Sequence, residues 1–153
     1  MVDVVDRITR SRMMAGIKGV NTKPELALRR ALHRLGFRFR LHAPELPGRP
    51  DIVLPKHKAA IQVHGCYWHR HEKCVYATNP SSNQSFWTKK FRETIARDLR
   101  KLIALKEAGW RVAIVWECAV REHGAEAVAE KISDWLVSER KFVEIPKKRS
   151  RSR

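Results

Sequence analysis

The chain has 153 residues, enough to bury one hydrophobic core without disulfide staples, and 32 Lys and Arg against 16 Asp and Glu leave it with a net charge of +16. No apolar run reaches the ~18 residues of a membrane span and the N-terminus carries no signal-peptide core, so the expected protein is soluble, cytoplasmic and not membrane-bound. The cysteines number 3, which in a reducing compartment reads as thiols or metal ligands rather than bridges. The positive excess is not confined to the final KKRSRSR, so a polyanion, nucleic acid first, is the expected partner. Charge kept for solubility alone is the plainer alternative.

Residues 1–21 are polar and mixed, with Thr9-Arg-Ser-Arg12 followed by Met13 and Met14. They read as a short helix or as an arm that orders on DNA, against a frayed terminus. The body begins at Thr22-x-x-Glu25, a capping box with Pro24 in the first turn. The helix should run to about Leu35 and stop at Gly36, with Leu28, Ala31, Leu32 and Leu35 facing the core. Glu25 has two readings, a cap or a carboxylate aimed at a site, and the local pattern favours the cap.

Phe37–Leu41 alternates apolar and basic, as a strand with one wet face does. Pro44, Pro47, Gly48 and Pro50 then enforce an extended connection to Asp51, which stands at the mouth of the apolar strand Asp51–Leu54. A turn at Pro55–Lys58 returns the chain as Ala59–Val63. A hard cation such as Mg²⁺ takes a carboxylate, a backbone carbonyl and waters. Asp51 and the carbonyl of Val63 can supply the first two, with Gln62 and His64 orienting waters.

The densest chemistry lies in Ile61–Cys74, IQVHGCYWHRHEKC. Cys66-x4-His71-x2-Cys74 offers three donors on an irregular loop, and Cys118, after the apolar run Val112–Trp116, can complete a tetrahedral Zn²⁺ site. Three unrelated thiols with surface histidines are the alternative. His69 is not needed by that spacing, so a neutral imidazole there can act as general base, or make only a structural hydrogen bond.

Residues 75–84 read as a loop, and a long helix from Ser85 to Gly109 should bury Phe91, Ile95, Leu99, Leu102 and Leu105. Its other face carries Lys89, Lys90, Arg92, Arg97, Arg100 and Lys101. Trp87 extends the stripe, and Asp98 reads by default as a salt-bridge partner. Trp110–Trp116 is the central strand and Gly124–Val137 a final helix. Residues 22–140 thus form one α/β or α+β domain, a mixed sheet flanked by helices, and 141–153 a basic, disordered tail.

Leu46-Pro-Gly-Arg-Pro-Asp51, His64-Gly-Cys-Tyr-Trp-His69 and Gly109-Trp-Arg-Val…Val115-Trp-Glu-Cys118, with Thr9-Arg-Ser and Phe86-Trp87, resemble the very short patch repair endonucleases. The resemblance covers roughly residues 3–140. It implies a restriction-endonuclease-like fold, a PD-(D/E)xK variant, and a monomeric enzyme that nicks duplex DNA 5′ to the thymine of a T:G mismatch left by deamination of 5-methylcytosine. Other mismatch-repair proteins are implied as partners, and a bacterial, nucleoid-associated location. By position it makes Asp51 the Mg²⁺ ligand with the Val63 carbonyl, and His69 the general base. Glu25 and His64 would hold cation-bound waters, which reverses the local reading of Glu25, and Asp98 falls where the family has an active-site acid. Cys66, His71, Cys74 and Cys118 match the structural zinc ligands. Tyr67, Trp68 and Trp87 would form a wedge in the major groove, with Met14 pressing from the minor groove; burial is the alternative for Trp87.

Three positions depart from the family pattern. Val63 replaces a familiar Thr, Tyr67 replaces Phe, and Cys74 falls one residue late, so the metal loop must bulge. Two rival functions remain beside the mismatch nuclease. One is a nicking or restriction nuclease of the same fold and another specificity; the other is a zinc-stabilised mismatch-binding module without catalysis.

Overall fold

A computed structural model describes residues 22–147; Met14 and the rest of the proposed arm, with the end of the basic tail, lie outside the described residues. The first element is helix α1, Lys23–Arg34. Thr22 accepts a hydrogen bond from the Glu25 backbone N–H at 3.4 Å, and Pro24 occupies the first turn, where no N–H is needed. Only half of the capping box forms, because the Glu25 side chain turns along the helix to Arg29. Leu28, Ala31 and Leu32 are buried as the 3.6-residue period requires. Leu35 is not part of that stripe. It stands beyond the last helical residue as the C-cap and is 48% exposed.

Five strands follow, β1 (Arg40–Leu41), β2 (Ile52–Leu54), β3 (Ala59–His64), β4 (Arg111–Trp116) and β5 (Phe142–Ile145). They form one sheet in the order β1-β2-β3-β4-β5. The first three are antiparallel neighbours, whereas β3, β4 and β5 run parallel. Parallel neighbours need long crossovers. Helix α2 (Gln84–Glu107) supplies the crossover from β3 to β4, and helices α3 (Glu117–His123) and α4 (Ala125–Val137) supply the one from β4 to β5.

The side-chain period of 2 divides the sheet cleanly. Ile61, Ala113 and Val115 face Leu28, Leu32, Val128, Ile132 and Trp135 of α1 and α4 in the main core. Their neighbours Ala60 and Val112 face Leu105 of α2 instead. Continuing that second face along β3 and β4 brings His64 and Trp116 to the same side as α2 and the cysteine loop.

Four expectations change. The strand foreseen at Phe37–Leu41 shrinks to Arg40–Leu41, because Phe37 and Phe39 pack into the main core rather than alternate along a ladder. Helix α3 was not legible as a separate element. Phe142–Ile145, assigned to the tail, is instead the edge strand β5 beside β4. On α2 the buried positions are Phe91, Thr94 and Leu105, while Ile95 (49%) and Leu99 (55%) lie outward. The helix touches the sheet through its C-terminal half, and its middle faces a cleft, so polar residues take the inward positions there.

Arg111 ties the α4 end to the sheet. Its guanidinium lies among the carbonyls of Trp135 (2.8 Å), Leu136 (3.0 Å), Ser138 (3.0 Å) and Arg140 (2.9 Å), and 4.7 Å from the Trp135 ring centroid. Those carbonyls belong to the C-terminal turn of α4 and the segment that leads to β5, where a helix runs out of its own N–H donors. Arg111→Lys keeps the charge but loses the planar fork; it should lower unfolding free energy by about 1–3 kcal/mol, seen in urea titration as a lower midpoint with unchanged slope.

Candidate active site and metal centre

The sheet end at Asp51 and His64 opens into a cleft of about 660 Å³ lined by His42, Asp51, Val63, His64, Trp68, His69 and Asp98. The register explains why Asp51 points there. Pairing of β2 with β3 ends at Ile52↔Ile61, so β3 continues alone past its neighbour. The Asp51 side chain takes the place of the missing strand, its Oδ2 accepting the Val63 N–H at 2.7 Å.

Asp51 is only 8% exposed and Glu25 only 1%, so two carboxyls meet in a dry wall. Burial, reinforced by the neighbouring Glu25, pushes Asp51 up to about 8 despite the opposing hydrogen bond from Val63. One Glu25 oxygen, Oε2, accepts from Arg29 at 3.0 Å; the other, Oε1, is buried without a hydrogen-bond partner. A buried pair of carboxyls of this kind would release a proton in exchange for a cation.

His42 was missed in the sequence. It follows β1 in a left-handed conformation (φ 48°), and its N–H donates to the Asp51 carbonyl at 3.1 Å. Arg29 Nη2 stands 3.0 Å from His42 Nε2, and because a guanidinium only donates, that nitrogen must accept. The ring proton is then on Nδ1, which faces Asp51 Oδ1 at 3.9 Å. Glu25, His42 and Asp51 bring one donor atom each within 4.8 Å of the others, a group able to hold a metal ion. Nothing in the residue spacing signals His42, which the β1–β2 pairing and a left-handed backbone carry to Asp51.

Across the cleft, Gly65 ends β3 and the chain curls back so that His69 N–H bonds the Gly65 carbonyl at 3.1 Å. The His69 ring stacks on His64, with centroids 4.0 Å apart and planes 7° from parallel. His69 Nδ1–H donates to Asp98 Oδ2 of α2 at 2.6 Å, which turns the other ring nitrogen, Nε2, away from that carboxylate. Burial works against the Asp98 charge, but the hydrogen bond and charge of His69 prevail and hold its carboxyl below the usual range. Burial takes His64 down to about 3, so that ring is neutral. Asp98, by default a salt-bridge partner, thus pairs with the His69 ring.

Behind His64, the Trp116 ring stands edge-on to it at 5.1 Å and stacks on His71 at 4.1 Å. Its indole N–H donates to Glu144 of β5 at 2.8 Å. Below that ring pair lie Cys66, His71, Cys74 and Cys118, whose donor atoms fall within 4.8 Å of one another and can hold a metal ion. His71 Nδ1 is 3.6 Å from Cys66 Sγ and 3.4 Å from Cys118 Sγ, and the Cys118 N–H approaches Cys66 Sγ at 3.4 Å. Burial pushes both the Cys66 and the Cys118 thiols up, which disfavours free thiolates there. Left-handed Arg70 and Lys73 give the loop its bulge (φ 53° and 57°).

The aromatic residues gather at the rim. Tyr67 meets Trp68 at 5.1 Å and Phe91 at 5.5 Å, both near-perpendicular, and Trp87 lies 5.9 Å from Trp68 and 5.7 Å from Phe91. Phe86, 61% exposed, continues the cluster against Trp87 at 5.3 Å. Trp87 is half-buried, resting on Phe91, so it belongs to this surface cluster rather than to the main core. Lys90, Arg97 and Lys101 line the same cleft and give it positive walls.

Residues 2–75 match the family model described as DNA mismatch endonuclease Vsr. The chain is 44% identical over 135 residues to the type II nicking enzyme V.XorIIP of Xanthomonas oryzae pv. oryzae, covering 88% of this chain and 98% of that protein. It is 37% identical over 121 residues to the type II nicking enzyme V.NmeAIP of Neisseria meningitidis serogroup A, covering 79% and 86%. Identity to the DNA mismatch endonuclease Vsr of Escherichia coli K12 is 39% over 142 residues, 91% of this chain and 90% of that protein. The chain belongs to the Vsr family of DNA mismatch endonucleases.

Proposed function

We propose that this DNA strand-nicking endonuclease cuts one strand 5′ to the thymine of a T:G mismatch, with Mg²⁺ at Asp51 and a structural Zn²⁺ at the cysteine cluster. The observation that carries the reading is the convergence, in one cleft, of a buried carboxylate pair, an oriented imidazole and an aromatic rim. On this reading the mixed sheet, with Asp51 at the mouth of a hairpin strand, is a restriction-endonuclease-like fold.

The residues fit both ions. Around Zn²⁺, bonds of about 2.3 Å to sulfur and about 2.0–2.1 Å to nitrogen place neighbouring donors of a tetrahedron about 3.6 Å apart. The Cys66–His71 and Cys118–His71 separations of 3.6 and 3.4 Å agree with that edge. Four protein donors leave no open position, so the zinc role is structural. At the other centre, the Asp51 carboxylate and the Val63 carbonyl would hold Mg²⁺, with Glu25 and His64 on its waters. Bound there, the cation would neutralise charge developing on the scissile phosphate and at the leaving oxygen.

The chain's own groups do the rest. His69 Nε2 accepts the proton of the attacking water, and Asp98 holds the ring in the tautomer that allows it and stabilises the charge that forms. The His64 face keeps the His69 ring from turning. Lys90, Arg97 and Lys101 hold the phosphate backbone over the cleft. Tyr67, Trp68 and Trp87 press on the base step, and a mispaired step opens at least cost, which selects the mismatch.

A labelled duplex with one T:G pair should acquire a single nick 5′ to that T in Mg²⁺, while the T:A duplex stays intact. Equal cutting of both would replace this reading by a nicking nuclease of broader specificity. Asp51→Ala should abolish the product, and binding with no cut in the unaltered protein would leave only a recognition module. His69→Ala should slow single-turnover nicking about 10²–10⁴-fold. Asp98→Asn should also slow it, while leaving KM within about twofold, because the lost group orients the base and does not bind DNA.

A further inference from the structure

We propose that Arg70 is a positioning residue for the aromatic wedge, and not one of the residues that hold DNA phosphate. The inference rests on the mismatch-nicking function above and deepens it, by naming what sets the geometry of the recognition surface. In a chain of net charge +16, an arginine next to the cleft would by default be assigned to the phosphate backbone. Its contacts argue otherwise.

Arg70 sits between His69 and the cluster residue His71, in a left-handed conformation (φ 53°) that turns its side chain away from the cleft and under the loop. Nη1 donates to the carbonyls of Tyr67 (3.2 Å) and Thr78 (3.0 Å); Nη2 donates to the carbonyl of Ala77 (3.2 Å) and to Asn79 Oδ1 (2.8 Å). All the terminal guanidinium hydrogens therefore have protein acceptors. The guanidinium carbon Cζ lies 4.1 Å from the Phe91 ring centroid and 5.4 Å from that of Tyr67, inside cation–π range of both.

One planar group thus joins three separate stretches: the metal loop through Tyr67, the connection at 77–79, and helix α2 through Phe91. Phe91 is the ring on which Tyr67 and Trp87 both rest. Lysine cannot replace this arrangement, since it offers a point charge with no fork and no plane to lie on a ring.

The test uses full-length, zinc-loaded protein carrying Arg70→Lys, Arg70→Ala or Phe91→Leu. Zinc content should equal that of the unaltered protein. The slope of log K against log salt on matched duplex should be unchanged, because no phosphate contact is lost; a phosphate ligand would lower it by about 0.9. Nicking of T:G relative to T:A should fall about tenfold in all three variants, Lys included, as expected when the platform loses one cation–π contact and its hydrogen bonds. A shallower salt slope in Arg70→Ala, restored by Lys, would overturn the proposal in favour of phosphate binding. Unaltered T:G preference in Arg70→Lys and Phe91→Leu would overturn it too. If the unaltered protein itself shows no T:G preference, the mismatch function fails; the salt slope still decides between positioning and phosphate contact for Arg70.

Discussion

The contact on which the cleft depends is the meeting of His71 with Cys66 and Cys118, at 3.6 and 3.4 Å. A loop of the composition found between Gly65 and Cys74 has no ladder to fix it and few apolar side chains to bury. Cross-linked through one ion to Cys118 at the start of α3, as proposed, it would become part of the rigid end of β4. From there rigidity passes through rings. His71 lies on Trp116, Trp116 abuts His64, and His64 lies on His69. Glu144 clamps the indole from the neighbouring strand, so the edge strand β5 also serves the site. The imidazole proposed as general base, at one end of this stack, is held by packing as well as by Asp98.

The opposite wall works by a different principle. Asp51 and Glu25 are buried together with little neutralisation beyond Arg29, and the consequence is the upward displacement of Asp51. Such an arrangement destabilises the folded chain at neutral pH: Asp51 holds its proton in the folded protein above the pH at which the unfolded chain releases it, so stability falls as pH rises from about 4 towards 8. The cation proposed at Asp51 would offset that cost, which would link the fold to the chemistry proposed for it. The short β2 matters here. One more residue of pairing would have covered the edge of β3 that Asp51 and Val63 share.

Much of this was legible because it is local. Cys66, His71 and Cys74 announce a metal loop by spacing, and the remaining cysteine has few other uses. The β2–β3 hairpin and the apolar run of β4 follow from alternation and β-branched content. What escaped reading depends on tertiary geometry. Apolar spacing on α2 pointed to Ile95 and Leu99 as buried, yet the helix passes over a cleft and turns Thr94 and Asp98 inward, so chemistry overrides the stripe. Glu25 matches a capping box, but burial and Arg29 draw it to the site. His42 and Arg70 reach their partners with left-handed backbone, which residue type alone does not disclose. Glu144 was hidden in a segment whose charge resembled a tail.

If one zinc ion at the cysteine–histidine cluster holds the proposed base and wedge in place, nicking of a T:G duplex at saturating Mg²⁺ should track the zinc bound per chain during stepwise chelation. The untreated protein should carry one zinc, and its activity should fall in proportion as the zinc is withdrawn and return when it is restored. Undiminished nicking by zinc-free protein would show that the cluster does not hold the site.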